Sequence, residues 1–151
     1  MSSVSFGHEI AVTPLQMVSA LSAIANGGTL MEPHITKALM RDGKVVEQVK
    51  PKKIRRVISK KTSQQMLEIL KFAVKEGTGK NAAVEGFDVA GKTGTAQKYI
   101  SKTRSYSKTE FVSSFIGYAP ADTPRLVILV MIDNPKGVHW GSVVAAPVFR
   151  E

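Results

Sequence analysis

Along the first part of the chain, apolar side chains recur at helical spacing. Leu15, Val18, Leu21, Ile24 and Ala25 share one face until Asn26-Gly27-Gly28 closes the run. Thr13 is a good N-cap, Pro14 suits the first helical position, and Gln16 stands where a capping box wants it. The spacing predicts a buried amphipathic helix. Residues 35–40 and 44–49 then flank Asp42-Gly43, a pair that tolerates the positive φ angles of a type I′ turn, so a small exposed hairpin is expected. A second helical pattern, capped by Ser59 or Thr62, puts Met66, Leu67, Ile69, Leu70, Ala73 and Val74 on an apolar face and ends at Gly77 and Gly79.

From Phe87 the pattern becomes strand-like, with extended segments at residues 87–97, 111–119 and 125–133. Pro120-Ala121-Asp122-Thr123-Pro124 joins the last two and is short enough to require antiparallel pairing. Residues 98–110 are polar and read as a long mobile loop beside Lys92. Residues 142–149 start a further helix. Helices first, then an antiparallel meander, then a short helix make the fold class α+β, an antiparallel sheet flanked by helices.

Composition narrows the function classes. At 151 residues and 43% hydrophobic content the chain is about one globular domain with a real core. It has no 18-residue apolar run and no basic, apolar leader at Met1-Ser2-Ser3. The absence of Cys excludes disulfides, thiolate metal sites and cysteine nucleophiles, and no metal or cofactor is expected. The net charge of +9 is concentrated at Lys50, Lys52, Lys53, Arg55, Arg56, Lys60 and Lys61, and at Lys98, Lys102, Arg104 and Lys108. No helix-turn-helix, zinc or aromatic RNA-binding pattern accompanies it, so a solvated basic surface is expected and nucleic acid is not a partner.

Lys92-Thr93-Gly94-Thr95 is the chemically informative run, and it fits two unrelated sites. Counted from Gly86, it completes the G-x-x-x-x-G-K-[ST] pattern of a phosphate-binding loop. Such a loop needs a buried strand before it and a helix starting at Lys-Thr, and neither flank fits. Leu126 to Asp133 imitates the apolar strand and acidic residue that hold magnesium, as any strand ending in Asp would. Lys-Thr-Gly is also the third motif of penicillin-recognising serine enzymes. If residues 89–97 form an edge strand, Thr93 and Thr95 point to one face and Lys92 and Gly94 to the other. Two hydroxyls can then grip a carboxylate beside an ammonium, while Gly94 leaves room for close backbone approach.

This run has company. Residues 5–17, Ala25-Asn26-Gly27-Gly28, residues 90–98, Ser114-Phe115-Ile116-Gly117-Tyr118-Ala119-Pro120 and Ala145-Ala146-Pro147-Val148-Phe149 occur in order. Together they resemble the C-terminal half of the transpeptidase domain of class B penicillin-binding proteins, nearest the branch serving septal or spore peptidoglycan, over essentially the whole chain. The resemblance implies that Lys92 helps position protons and anionic substrate, and that Thr93 and Thr95, with Gly94 between them, bind the carboxylate of a stem peptide ending in D-Ala-D-Ala or of a β-lactam. It further implies that the Thr95 backbone N–H is one oxyanion-hole donor, and that the domain faces the outside of the cytoplasmic membrane.

Such enzymes also need Ser-x-x-Lys and Ser-x-Asn motifs upstream of this region. Ser-x-Asn does not occur here, and Ser105-Tyr106-Ser107-Lys108 matches Ser-x-x-Lys only formally, in a polar segment. His8, His34 and His139 are dispersed and read as structural or surface residues. Residues 1–151 are therefore expected to be the C-terminal part of one transpeptidase domain, inactive alone. The family sheet has five strands and three are visible here, so residues 125–133 should carry an unpaired edge. The missing N-terminal half, or self-association, should cover it, and other division proteins are possible partners. The remaining alternative is a non-catalytic basic assembly module built on the same fold.

Overall fold

The computed structural model of the chain describes residues 10–151. Its first helix, α1 (Pro14–Ala25), begins at the expected capping box: Thr13 Oγ1 accepts the Gln16 backbone N–H at 3.2 Å, and the Gln16 side chain accepts the Thr13 N–H at 2.8 Å. Gly27 and Gly28 follow it at positive φ, 83° and 98°. At Gly28 only glycine fits, because a Cβ there would collide with the carbonyl of Ile58. Residues 5–9 of the first sequence motif, His8 among them, lie outside the described residues.

Between the helices runs a two-stranded arm that the sequence pattern revealed only in part. β1 (Thr29–Met31) pairs antiparallel with β4 (Lys53–Arg56), a pairing that the apolar pattern did not signal. Further out, β2 (Ala38–Arg41) and β3 (Lys44–Gln48) form the expected hairpin, with Asp42 and Gly43 at φ 51° and 74°. β2 starts later than the pattern suggested, at Ala38 rather than Ile35, whereas β3 starts at Lys44 as expected. Pro33 and Pro51 stand between the two ladders, and proline cannot donate to either. Two cations of the basic cluster are tied into this arm: Lys52 pairs with Glu32 at 2.7 Å, and Arg56 Nη1 donates to the carbonyls of Gly27 and Ile58.

Ser59, rather than Thr62, caps α2 (Lys60–Lys75). Ser63, Leu67, Leu70 and Val74 are its buried residues, spaced three and four apart. Ile69 was expected on this face but is 61% exposed, since it lies a third of a turn off the Leu67–Leu70 stripe. Lys71 joins α2 to the segment before the sheet and to the turn between its last two strands, reaching Asp88 at 2.9 Å and Asp122 at 3.1 Å. The hydrogen bonds it donates to those two carboxylates raise its pKa.

The sheet is a three-stranded antiparallel meander in the order β5 (Ala90–Ile100), β6 (Ser105–Ala119), β7 (Leu126–Asp133). Its two faces carry separate cores. Phe115 packs with Val74, Ala82, Val89, Ala145, Ala146 and Phe149 on one side. Tyr118 and Ala90 pack with Leu21, Leu67 and Leu70 on the other. The chain ends in α3 (Gly141–Val144) and α4 (Ala146–Arg150) where one helix was expected. Pro147 has no N–H for the helical ladder, which accounts for the interruption at Ala145.

Residues 98–110 are not a long loop. β5 and β6 continue through most of them, turning at residues 101–104, with Tyr99 and Tyr106 edge to face at 5.6 Å. Their aromatic rings and cross-strand hydroxyls favour a ladder that the Ser, Thr and Lys content disguised. β7 has no partner strand on its outer edge among the described residues.

Tyr118 is 1% exposed, and burial pushes its phenol up to about 12 from the usual 10.0. Between these values the folded chain keeps a proton that the unfolded chain has lost, so stability falls as pH rises through that window. The loss amounts to roughly 2 to 3 kcal/mol. Urea unfolding measured at several pH values from 9 upward should show this fall, and Tyr118→Phe should flatten it. A slope unchanged in the variant would mean that other groups carry it.

Candidate active site

Ladder register sets the faces of the Lys-Thr-Gly-Thr run. Thr93 lies opposite Phe115 and Thr95 opposite Ser113, placing both on the α3–α4 face of the sheet. Lys92 lies opposite Ile116 and Gly94 opposite Ser114, on the α1–α2 face. The alternation expected from sequence therefore holds, and β5 is an edge strand, so every second backbone N–H along it points away from β6. Lys92 is exposed, and its ammonium donates to the Thr93 carbonyl at 2.9 Å.

Each threonine hydroxyl meets one group from outside the strand. Thr93 Oγ1 lies 2.8 Å from Thr78 Oγ1, on the loop after α2. Thr95 Oγ1 accepts the Gly141 N–H, at the start of α3, at 3.0 Å. Gly141 fits because it has no side chain, since a Cβ would run into the carbonyl oxygens of Gly94 and Ser114. Asn81, on the short 3-10 turn Lys80–Ala82, donates to the Ser142 carbonyl at 2.7 Å and holds this segment from the other side. Ser113, fully buried, donates to the His139 carbonyl, and the His139 ring stacks on Phe111 at 3.9 Å. Thr78, Asn81 and Gly141 escaped the sequence reading, in which Gly77-Thr78-Gly79 served only as a helix stop. Their signal is contact across 15 to 61 residues, which periodicity does not carry.

Other sequence candidates are not brought to this strand. Ser105 lies at the turn end of β6 with Oγ 2.8 Å from Thr103 Oγ1, and Ser107 Oγ accepts the backbone N–H groups of Thr109 and Glu110. Neither sits at the start of a helix, as a Ser-x-x-Lys nucleophile would. His34 Nδ1 lies 3.3 Å from the Glu32 carbonyl, in the β1–β4 region and not at this strand. The phosphate-loop reading fails on geometry. Lys92 and Thr93 lie inside an antiparallel strand where a helix N-terminus is required, and Asp133 pairs with Lys98 at 2.9 Å. Among the described residues no group of His, Asp or Glu side chains is placed to hold a metal ion, and no helix is long and apolar enough to cross a membrane. A cavity of about 590 Å³ lies between α1 and the β1–β4 ladder, lined by Leu15, Ile24, Leu30, Ile54 and Ile58 among others, with no residue from β5.

An antiparallel sheet with helices on both faces and a Lys-Thr-Gly-Thr edge strand is the arrangement expected of the penicillin-recognising fold. The model of the penicillin binding protein transpeptidase domain matches residues 1–151, and the chain belongs to that family. It is the class B type. Stage V sporulation protein D of Bacillus subtilis is 48% identical over 95% of the chain, and PbpB of Mycolicibacterium smegmatis is 38% identical over 99%. Among solved structures, penicillin binding protein 3 of Mycobacterium tuberculosis, in complex with aztreonam, superposes with a TM-score of 0.84 at 38% identity over 97% of the chain. The chain spans 22% and 24% of the length of those two relatives and 35% of that solved chain. Family membership leaves the phosphate-loop and non-catalytic-module readings without support.

Proposed function

We propose that this chain is the C-terminal part of a D,D-transpeptidase domain and supplies its substrate-binding and oxyanion side, with the serine nucleophile lying outside these 151 residues. The observation that carries this reading is that β5 is an edge strand among the described residues, bearing the hydroxyls of Thr93 and Thr95 on one face and the ammonium of Lys92 on the other. The substrate is a peptidoglycan stem peptide ending in D-Ala-D-Ala. The serine attacks the carbonyl of the penultimate residue, and the bond to the terminal D-Ala breaks as that residue leaves with a proton. An amine of a second stem then takes the acyl group and frees the serine. β-Lactams acylate the same serine.

In this scheme the backbone N–H of Thr95 stabilises the oxyanion, a contribution whose removal typically costs about 100 to 1,000 fold in rate. Thr93 and Thr95 donate to the substrate carboxylate, and Lys92 supplies positive potential to the anionic substrate and to proton transfer at the serine. The domain works at the cell envelope, on the outer face of the cytoplasmic membrane. The experiment is a chimera in which this chain replaces the matching segment of Stage V sporulation protein D. It should take a covalent label from fluorescent penicillin, and Lys92→Ala should slow labelling on the order of 100 fold. A folded chimera that stays unlabelled overturns the reading.

A further inference from the structure

Thr78 approaches the candidate strand from outside it, on a loop built to hold it still. Gly79 N–H donates to the Ala73 carbonyl at 2.9 Å, folding the loop back on the last turn of α2. At both flanking glycines a Cβ would press on that same oxygen, at 2.8 Å for Gly77 and 3.0 Å for Gly79. The Thr78 side chain is thereby presented to Thr93, with the two hydroxyl oxygens 2.8 Å apart.

The direction of this hydrogen bond follows from what the neighbouring hydroxyl does. Thr95 Oγ1 accepts from the Gly141 N–H, so its own proton is left for another acceptor. A Thr78 O–H donated to Thr93 Oγ1 gives Thr93 the same arrangement. Two strand hydroxyls on one face then offer two outward protons, which suits a carboxylate whose ionised oxygens only accept. If Thr93 donated to Thr78 instead, its proton would be spent inside the protein.

We infer that Thr78 is a positioning residue of the carboxylate subsite: its hydroxyl donates to Thr93 Oγ1 and turns the Thr93 proton toward the substrate carboxylate. This rests on the transpeptidase reading and extends it to a residue outside the Lys-Thr-Gly-Thr run. A donor chain of this kind also polarises the outer hydroxyl, strengthening its bond to the anion.

The test uses the same chimera with Thr78→Val, which keeps the shape and removes the hydroxyl, and Thr78→Ser, which keeps the hydroxyl. Acylation by benzylpenicillin and by its methyl ester is resolved into a half-saturating concentration and a limiting rate. Thr78→Val should raise the half-saturating concentration for benzylpenicillin about tenfold and leave the limiting rate within about twofold. Thr78→Ser should restore the wild-type value, and the methyl ester, which carries no carboxylate charge, should not distinguish the three proteins. Thr78→Ala serves the same comparison if the valine variant does not fold. Equal losses for acid and ester, or no loss for either, overturn the role of Thr78 while leaving the labelled wild type as evidence for the transpeptidase. A folded wild-type chimera that takes no label overturns the transpeptidase reading, and this role with it.

Discussion

Gly141→Ala is expected to lower the unfolding free energy by about 3 kcal/mol, at the upper end for overpacking, and to pull α3 away from the Lys-Thr-Gly-Thr strand. The reason is the identity of the atoms in the way. A Cβ at this position meets the carbonyl oxygens of Gly94 and Ser114, both in the ladder between β5 and β6, and neither can rotate aside. Relief requires moving Gly141 itself, which breaks its N–H bond to Thr95 Oγ1. Gly94→Ala makes the matching control. Its Cβ meets the Ser114 hydroxyl at 2.5 Å, a side-chain atom that can swing to another rotamer, so the cost should be about 1 kcal/mol. Urea unfolding followed through Trp140, the single tryptophan and the residue next to Gly141, measures both. Equal losses in the two variants would show that the backbone contact does not decide the outcome.

Phe115→Ala should cost about 3 to 5 kcal/mol, the range for truncating a fully buried aromatic ring. Phe115 is 0% exposed, sits in the central strand, and packs edge to face on Phe149 with ring centroids 4.8 Å apart. It also fills the space that Gly91 and Gly117 leave open, since a Cβ at either would touch its ring. The cavity would therefore open between three parts of the fold: the neighbouring edge strand, α4 and the centre of the sheet. Phe115→Leu retains most of the apolar volume and should lose less. A Phe115→Ala variant within about 1 kcal/mol of the parent in urea unfolding would show that α4 collapses onto the sheet without it.

The parts of the fold legible in the sequence were those whose cause is local. The capping box at Thr13 and Gln16, the turn at Asp42-Gly43 and the two-residue alternation around Lys92 each depend on neighbours within a few positions, and each is present in the structure. Where neighbours were not the cause, the reading went astray. The β1–β4 ladder joins Thr29 to Arg56, and nothing in three or four residues of strand announces a partner that far away. Residues 98–110 were misread because polar composition suggested a loop, whereas cross-strand pairing with an already formed ladder made them strand.

The candidate site divides along the same line. By itself the sequence determined the Lys-Thr-Gly-Thr run, the face of each of its side chains and the family that its motifs resemble, because residue identity and a period of two suffice for these. Only the tertiary structure decided what those side chains meet: Thr78 for Thr93 across 15 residues, and Gly141 for Thr95 across 46. Both contacts arise when a loop and a helix start are packed on one face of an edge strand. That packing is a property of the assembled core, so no local pattern could reveal which partner each hydroxyl would meet.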